Sequence, residues 1–270
     1  MFITFSSGDS VLHEPAFMRD EVQYHVLHRV CESGESLRMK LEDGRAVLGQ
    51  TPGYPAWLWM DAGVSEAERI LLLHALCRQL TGIELPGISS EPRLAEAFAR
   101  EYASQRGLRQ ETRMVMRSYA CPRVMAPGRP AGGMRKLSED DIPTVARFLA
   151  AFSTEAYGTL VPPSSRRAAA EQTVRAGHLY GWMAGEKLVS MANITHRSAR
   201  HARINAVYTP PEHRKQGFAS GLVAELCRLI LAEARIPVLY ADAANPDSNR
   251  VYRNIGFMEH GIIADIHFVP

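Results

Sequence analysis

Val207 to Ala234 reads V-Y-T-P-P-E-H-R-K-Q-G-F-A-S-G-L-V-A-E-L-C-R-L-I-L-A-E-A, and this stretch decides the fold. A β-prone run (Ile204, Ala206, Val207, Tyr208) ends at Pro210-Pro211. Proline cannot donate to a sheet ladder, so the strand stops there. Beyond a short charged loop, Leu222, Val223, Leu226, Leu229 and Ile230 recur at helical spacing. Arg214-Lys215-Gln216-Gly217-Phe218-Ala219-Ser220 therefore sits where a strand hands over to a helix. The first N–H groups of a helix have no intrahelical partner, and the helix dipole adds partial positive charge at that end. Gly217 permits close backbone approach, Ala219 and Ser220 keep it open, and Arg214 and Lys215 add charge. These features predict a phosphate cradle built mainly from backbone.

Two familiar cradles are excluded. There is no Gly-Lys-Ser/Thr of a nucleotide-triphosphate loop, and Gly217-x-Ala219-x-Gly221 is not a dinucleotide fingerprint. What remains is Arg214-x-x-Gly217-x-Ala219. Alone it is weak, since average residue usage places such a triplet by chance in roughly one chain in ten of this length. A second stretch adds to it: Asn245-Pro246-Asp247-Ser248-Asn249-Arg250-Val251-Tyr252-Arg253-Asn254-Ile255-Gly256-Phe257. Asn-Pro signals a turn, Asp247 or Ser248 can cap a short helix, and Gly256 can end it. Val238-Leu239-Tyr240-Ala241, between the two motifs, reads as a buried parallel strand.

In order and separation, these motifs resemble the acyl-CoA-binding motif (Arg-x-x-Gly-x-Ala) and the following Asn-Pro motif of the GNAT superfamily of N-acetyltransferases. The resemblance covers about Arg135 to Pro270. It implies an α+β (mixed α/β) fold, with a central, mostly antiparallel sheet flanked by helices. It also implies acetyl-CoA as acyl donor and an amine as acceptor. The backbone of Ala206, Val207 and Tyr208 would align the pantetheine arm. Arg214, Lys215, Gln216, Gly217, Phe218, Ala219 and Ser220 would hold the pyrophosphate, and Asn245 and Asn249 would be further cofactor contacts. Tyr252 matches the general acid of the family. Members often carry a carboxylate on the strand before the cradle; here Ala202 to Tyr208 has none, so the general base stays open. Glu155 is one candidate, against its reading as an ordinary exposed carboxylate, and a water relay off Asn193 or Asn205 is another.

The N-terminal half repeats the element order of the C-terminal half. Its strand Ala56-Trp57-Leu58-Trp59-Met60 is followed by a helix opened at Ser65, with Glu68 as a capping box. The intervening turn carries Asp61, Glu66 and Glu68 where the other half carries Arg214 and Lys215, and carboxylates repel a pyrophosphate. Residues 1–120 are thus expected to be a degenerate GNAT-like copy and 135–270 the catalytic one, making two tandem halves. Residues 121–134, rich in Pro and Gly, would link them. Other expected elements are a helix over Glu14–Cys31, a hairpin over Leu37–Leu48 turned at Asp43-Gly44, and a helix over Glu91–Arg106. A helix from Ser138–Asp141 to Ala151, another over Pro162–Ala176, and a final strand pair around Phe257–Gly261 and Ile263–Val269 complete the reading.

With 270 residues, 46% hydrophobic and 22% charged, the chain has an ordinary globular composition. A net charge of +2 makes no case for nucleic acid or membrane binding. His196, Arg197, Arg200, His201 and Arg203 are expected on an exposed, solvated hairpin. Cys31, Cys77, Cys121 and Cys227 are scattered, without zinc spacing or a disulfide pattern, and no metal is called for. Met1-Phe2-Ile3-Thr4-Phe5 lacks the basic and long apolar regions of a signal peptide, and the default expectation is a cytoplasmic protein. The acceptor, the acyl-group preference and the oligomeric state are not legible. Two alternatives stay open: transfer of another acyl group or to an amino acid such as glycine, and a non-catalytic acyl-CoA-binding regulator.

Overall fold

The computed structural model describes residues 1–125, 128, 130–158 and 160–270, with Tyr157 as backbone alone. The expected linker 121–134 therefore lies partly outside the described residues. In chain order the elements are β1 (Phe2–Thr4), α1 (Pro15–Asp20), α2 (Val26–Glu32), β2 (Leu37–Leu41), β3 (Ala46–Gln50), β4 (Ala56–Met60) and α3 (Glu66–Gln79). Then come β5 (Gly87–Ser90), α4 (Pro92–Ser104), β6 (Arg109–Ala120), β7 (Gly133–Lys136), α5 (Ile142–Tyr157), α6 (Arg167–Arg175) and β8 (Leu179–Ala184). The chain closes with β9 (Lys187–Arg197), β10 (His201–Tyr208), α7 (Phe218–Ala232), β11 (Ile236–Asp242), α8 (Pro246–Ile255) and β12 (Met258–Val269).

Contacts divide the chain into two compact units. The first comprises Met1–Tyr119, Tyr240–Pro246 and Glu259–Pro270; the second comprises Ala120–Leu239 and Asp247–Met258. Up to Leu239 this follows chain order. After it, two stretches assigned by sequence order to the second half group with the first unit, because β12 pairs antiparallel with β5 over Ala264–His267.

In the first unit the strands run in the order β1-β2-β3-β4-β5-β12-β6. β1–β2, β2–β3, β3–β4 and β5–β12 pair antiparallel, and β4–β5 parallel. Alternate residues of a strand face opposite sides. Leu48 and Leu58 accordingly join Leu73, Leu76, Leu80, Phe98 and Tyr102 of α3 and α4 in one core. Val47 and Trp59 join Phe17, Leu27 and Ile263 in another. Both faces being covered, all of β3 is buried.

The second unit runs β11-β10-β9-β8-β7, antiparallel except for β10 with β11. Ile142, Val145 and Phe148 of α5 pack with Leu179, Met191 and Tyr208 over one face. Leu222, Leu226, Cys227 and Ile230 are the buried stripe of α7.

Several expectations need correction. The helix expected over Glu14–Cys31 is broken between α1 and α2. The Gln23 carbonyl accepts the Tyr240 hydroxyl at 3.0 Å, the Gln23 side chain donates to Ile262 O at 2.8 Å, and the Tyr24 hydroxyl accepts the Glu91 N–H at 3.1 Å. These long-range bonds hold a turn that local periodicity does not show. Glu68 does not close a capping box: Ser65 accepts the Glu68 N–H at 3.3 Å, but the Glu68 carboxylate pairs with Arg45 at 2.6 Å. α5 continues past Ala151 to Tyr157.

The expected closing strand pair is the single strand β12. Gly261, at φ +151, passes through without turning, and a Cβ there would come within 2.4 Å of Gln23 Oε1. The basic hairpin is not a solvated face: Arg197 pairs with Glu233 at 2.9 Å, Arg235 donates to Ser198 O at 2.9 Å, and His201 is buried.

Candidate functional site

The site is built where β10 feeds α7. The β9–β10 register shifts once between Arg203↔His196 and Ile204↔Ile194, and again between Asn205↔Asn193 and Tyr208↔Met191. Ala206 sits at φ +50, a conformation few non-glycine residues adopt. The bulge is pinned by Ser190, whose hydroxyl donates to Tyr208 O at 3.1 Å and accepts from Thr209 Oγ1 at 2.9 Å. On its other edge β10 pairs with β11 over His201–Arg203 and Ile236–Val238. Ala206 to Tyr208, assigned by sequence to the pantetheine arm, thus lie past the β10–β11 ladder, and Ala206 and Val207 fall within the second shift of the β9–β10 ladder.

Pro210 and Pro211 end the strand as expected, and the turn that follows holds Lys215 at φ +60 and Gly217 at φ +83. Gly217 is the N-cap of α7 and has no side chain to cap the helix. Phe218, Ala219 and Ser220 form its first turn, so their N–H groups have no intrahelical acceptor. The helix dipole places partial positive charge at this point. Lys215 and Gln216 are exposed, and the Gln216 amide donates to Glu212 O at 3.3 Å. Gly221, one turn in, lets α7 lie close to its surroundings: a Cβ there would meet Pro130 at 3.0 Å and Trp182 at 3.1 Å.

Arg214 does not extend over this cradle. Its Nε donates to Thr209 O at 2.9 Å and its Nη2 pairs with Glu155 Oε2 at 2.5 Å. The other oxygen of Glu155 accepts the Tyr208 hydroxyl at 3.1 Å. Burial, the Glu155 charge and that hydrogen bond push the Tyr208 phenol up to about 12. Glu155 is therefore more than an isolated exposed carboxylate: it ties α5 to the end of β10 and to the turn. The sequence reading named Glu155 but could not see this cluster, since its members lie 53 and 59 residues apart in the chain. Asn193 donates to Asn205 Oδ1 across the β9–β10 ladder at 3.1 Å, next to the bulge.

α8 begins at Pro246, directly after Asn245, whose N–H donates to Asp242 O at 3.1 Å. Asn245 groups with the first unit, Asn249 and Tyr252 with the second. Asn249 and Tyr252 are three residues apart on α8 and both are buried. The Tyr252 ring stands edge-on to Phe257 at 5.8 Å. Burial raises the Tyr252 phenol well above its ordinary range, so it stays protonated at neutral pH. All four cysteines are buried free thiols. Among the described residues no group of His, Cys, Asp or Glu is placed to hold a metal ion. Among them, too, no helix is long and apolar enough to cross a membrane.

Residues 179–262, from β8 into β12, match the family model described as FR47-like protein, a GNAT-type domain. No curated protein matches the chain. Solved structures match over nearly its full length. A Drosophila protein shares 13% identity over 100% of this chain and 98% of that one, with a TM-score of 0.67. A GCN5-related N-acetyltransferase from Sphaerobacter thermophilus shares 14% over 99% and 95%, with a TM-score of 0.60. A tandem GNAT protein from the clavulanic acid biosynthesis pathway shares 13% over 100% and 98%, with a TM-score of 0.53. The chain thus has a mixed α/β, GNAT-type fold with a mostly antiparallel sheet, shared end to end with these structures, a tandem protein among them.

Proposed function

We propose that the protein is an acyl-CoA-dependent N-acetyltransferase, moving an acetyl group from acetyl-CoA to a primary amine. The observation that carries this reading is the uncapped N-terminus of α7 behind the bulged end of β10. A helix start with no side-chain cap, preceded by a left-handed glycine, leaves its N–H donors for an anion. The pyrophosphate would rest on Gln216 to Ser220, with Lys215 as the nearby cation. Val207 and Tyr208 would align the pantetheine arm by backbone groups, and Asn245 and Asn249 remain assigned as further contacts. Arg214 would act at one remove, holding the turn through Thr209 and Glu155.

In the reaction, the amine nitrogen attacks the thioester carbonyl, a C–N bond forms and the C–S bond breaks. The departing thiolate takes the proton of the Tyr252 hydroxyl, which solvent restores. The amine proton leaves to solvent or to a carboxylate. Glu155 is the carboxylate beside the end of β10, and its pairing with Arg214 holds it in direction. With a cationic partner already in place, it suits positioning an amine better than taking its proton. Thiol release from acetyl-CoA, measured against a panel of amines, amino acids and peptides, tests the proposal. Release above background hydrolysis with any amine supports it. Binding of acetyl-CoA without release for any acceptor favours a regulator instead.

A further inference from the structure

The first unit has an opening of its own, at the carboxyl end of its parallel pair β4–β5. A cavity of about 360 Å³ is lined there by Asp20 of α1, Met60 at the end of β4, Arg69 of α3, and Glu91, Arg93 and Leu94 at the start of α4. That volume lies at the small end of the roughly 300–1,000 Å³ typical of small-ligand pockets. The wall carries two guanidinium groups and two carboxylates, so it has strong local charge and no net charge. The Nε of Arg69 is buried and has no hydrogen-bond partner among the described residues. A buried donor left unmade is costly, and a ligand acceptor would satisfy it. Asp20 uses one oxygen for the Trp59 indole N–H at 2.8 Å, and Glu91 uses one for the Leu94 N–H at 3.0 Å. The second oxygen of each has no hydrogen bond among the described residues.

This set rejects a pyrophosphate, which would face two carboxylates. It matches a ligand that carries both charges. A carboxylate fits the planar fork of a guanidinium, an ammonium would donate to the free oxygens of Asp20 and Glu91, and Met60 and Leu94 offer an apolar surface. We propose that this cavity binds an α-amino acid with an apolar side chain, as its zwitterion. The proposal stands independently of the acyltransferase reading.

Calorimetry on the full chain, with L-leucine and L-methionine at millimolar concentrations, tests it. At least one should bind at one site per chain. Leucinamide, which lacks the carboxylate, and 4-methyl-2-oxopentanoate, which lacks the ammonium, should each bind at least about tenfold more weakly than leucine, as expected when a charged partner is left unpaired. Arg69→Gln should weaken the amino acid by a similar factor while leaving acetyl-CoA binding unchanged. Absence of binding by both amino acids, leucinamide binding as well as leucine, or full affinity in Arg69→Gln would each overturn the assignment. Should Arg69→Gln fail to fold, the two analogues decide on the unaltered protein.

Discussion

Two helices in this chain follow the second strand of a hairpin and cross to a parallel neighbour, and their first turns have opposite chemistry. α3 is closed by its own side chains: Ser65 accepts the Glu68 N–H at 3.3 Å, and Asp61 accepts the Gly63 N–H at 2.7 Å. α7 starts at Gly217, which has no side chain to cap it. The backbone differs too: Ser65 is extended at φ −63 and its side chain meets a first-turn donor, whereas Gly217 is left-handed at φ +83 and has no side chain to do so. Capping is worth about 0.5–2 kcal/mol to a helix, so an uncapped start is a stability cost, and a bound anion offsets it. The comparison teaches that a repeated fold can lose a site by satisfying it internally, with no change of architecture.

The first way to press the comparison is to ask what each unit needs in order to fold. A fragment of residues 1–120 lacks the buried side chains of Ile263, Ala264 and Ile266. It would leave β5 with an open edge and expose apolar surface. It should be unfolded or aggregated by circular dichroism and gel filtration; a monomeric, cooperatively melting fragment would show that β12 is dispensable.

Next is the cradle itself. Gly217→Glu places a carboxylate and a Cβ at φ +83. Acetyl-CoA binding should fall by more than about a hundredfold, an effect of the size expected when a buried anion meets a like charge. Calorimetry on the unaltered chain should find one acetyl-CoA site; two sites would mean that the α3 turn also binds.

Tyr252→Phe keeps the ring packed on Phe257 and removes the proton. kcat should drop by about 10²–10⁴-fold with acetyl-CoA affinity retained. Because burial raises this phenol, it stays a donor through the alkaline range, and kcat should show no loss from Tyr252 ionisation below pH about 10, the ordinary tyrosine value. A retained kcat in Tyr252→Phe places the acid elsewhere.

The caps give the smallest and sharpest contrast. Ser65→Ala should cost about 1 kcal/mol of stability in a denaturant melt, whereas Ser220→Ala, on the first turn of the uncapped helix, should cost less than about half as much, within the range of ordinary surface changes. Equal losses would mean that α7 is capped after all. Glu155→Gln breaks a partly exposed pair and should change stability by under about 1 kcal/mol. Its effect should appear instead as a raised KM for the amine.

Much of the second unit was legible. The β10–α7 handover and the Asn-Pro start of α8 rest on local signals: proline stops, a glycine turn and helical periodicity. The cluster of Glu155, Tyr208 and Arg214 was not legible, because its members meet only when α5 packs on the end of β10. Likewise Glu68 has the spacing of a capping box, but Arg45, which only tertiary structure brings near, competes for its carboxylate.

By itself, the sequence determined that a strand stops at Pro210-Pro211 and hands over to a helix, and that one turn is cationic and the other acidic. Those properties depend on neighbours within a few residues, through backbone dihedrals, capping and local charge. Only the tertiary structure decided that α1 and α2 are separate, that β12 serves the first unit, that Arg214 is tied to Glu155 rather than free, and that Arg69 lines a cavity with a buried donor. Each of these depends on which distant group arrives to satisfy a hydrogen bond or a charge, and no local pattern encodes that arrival.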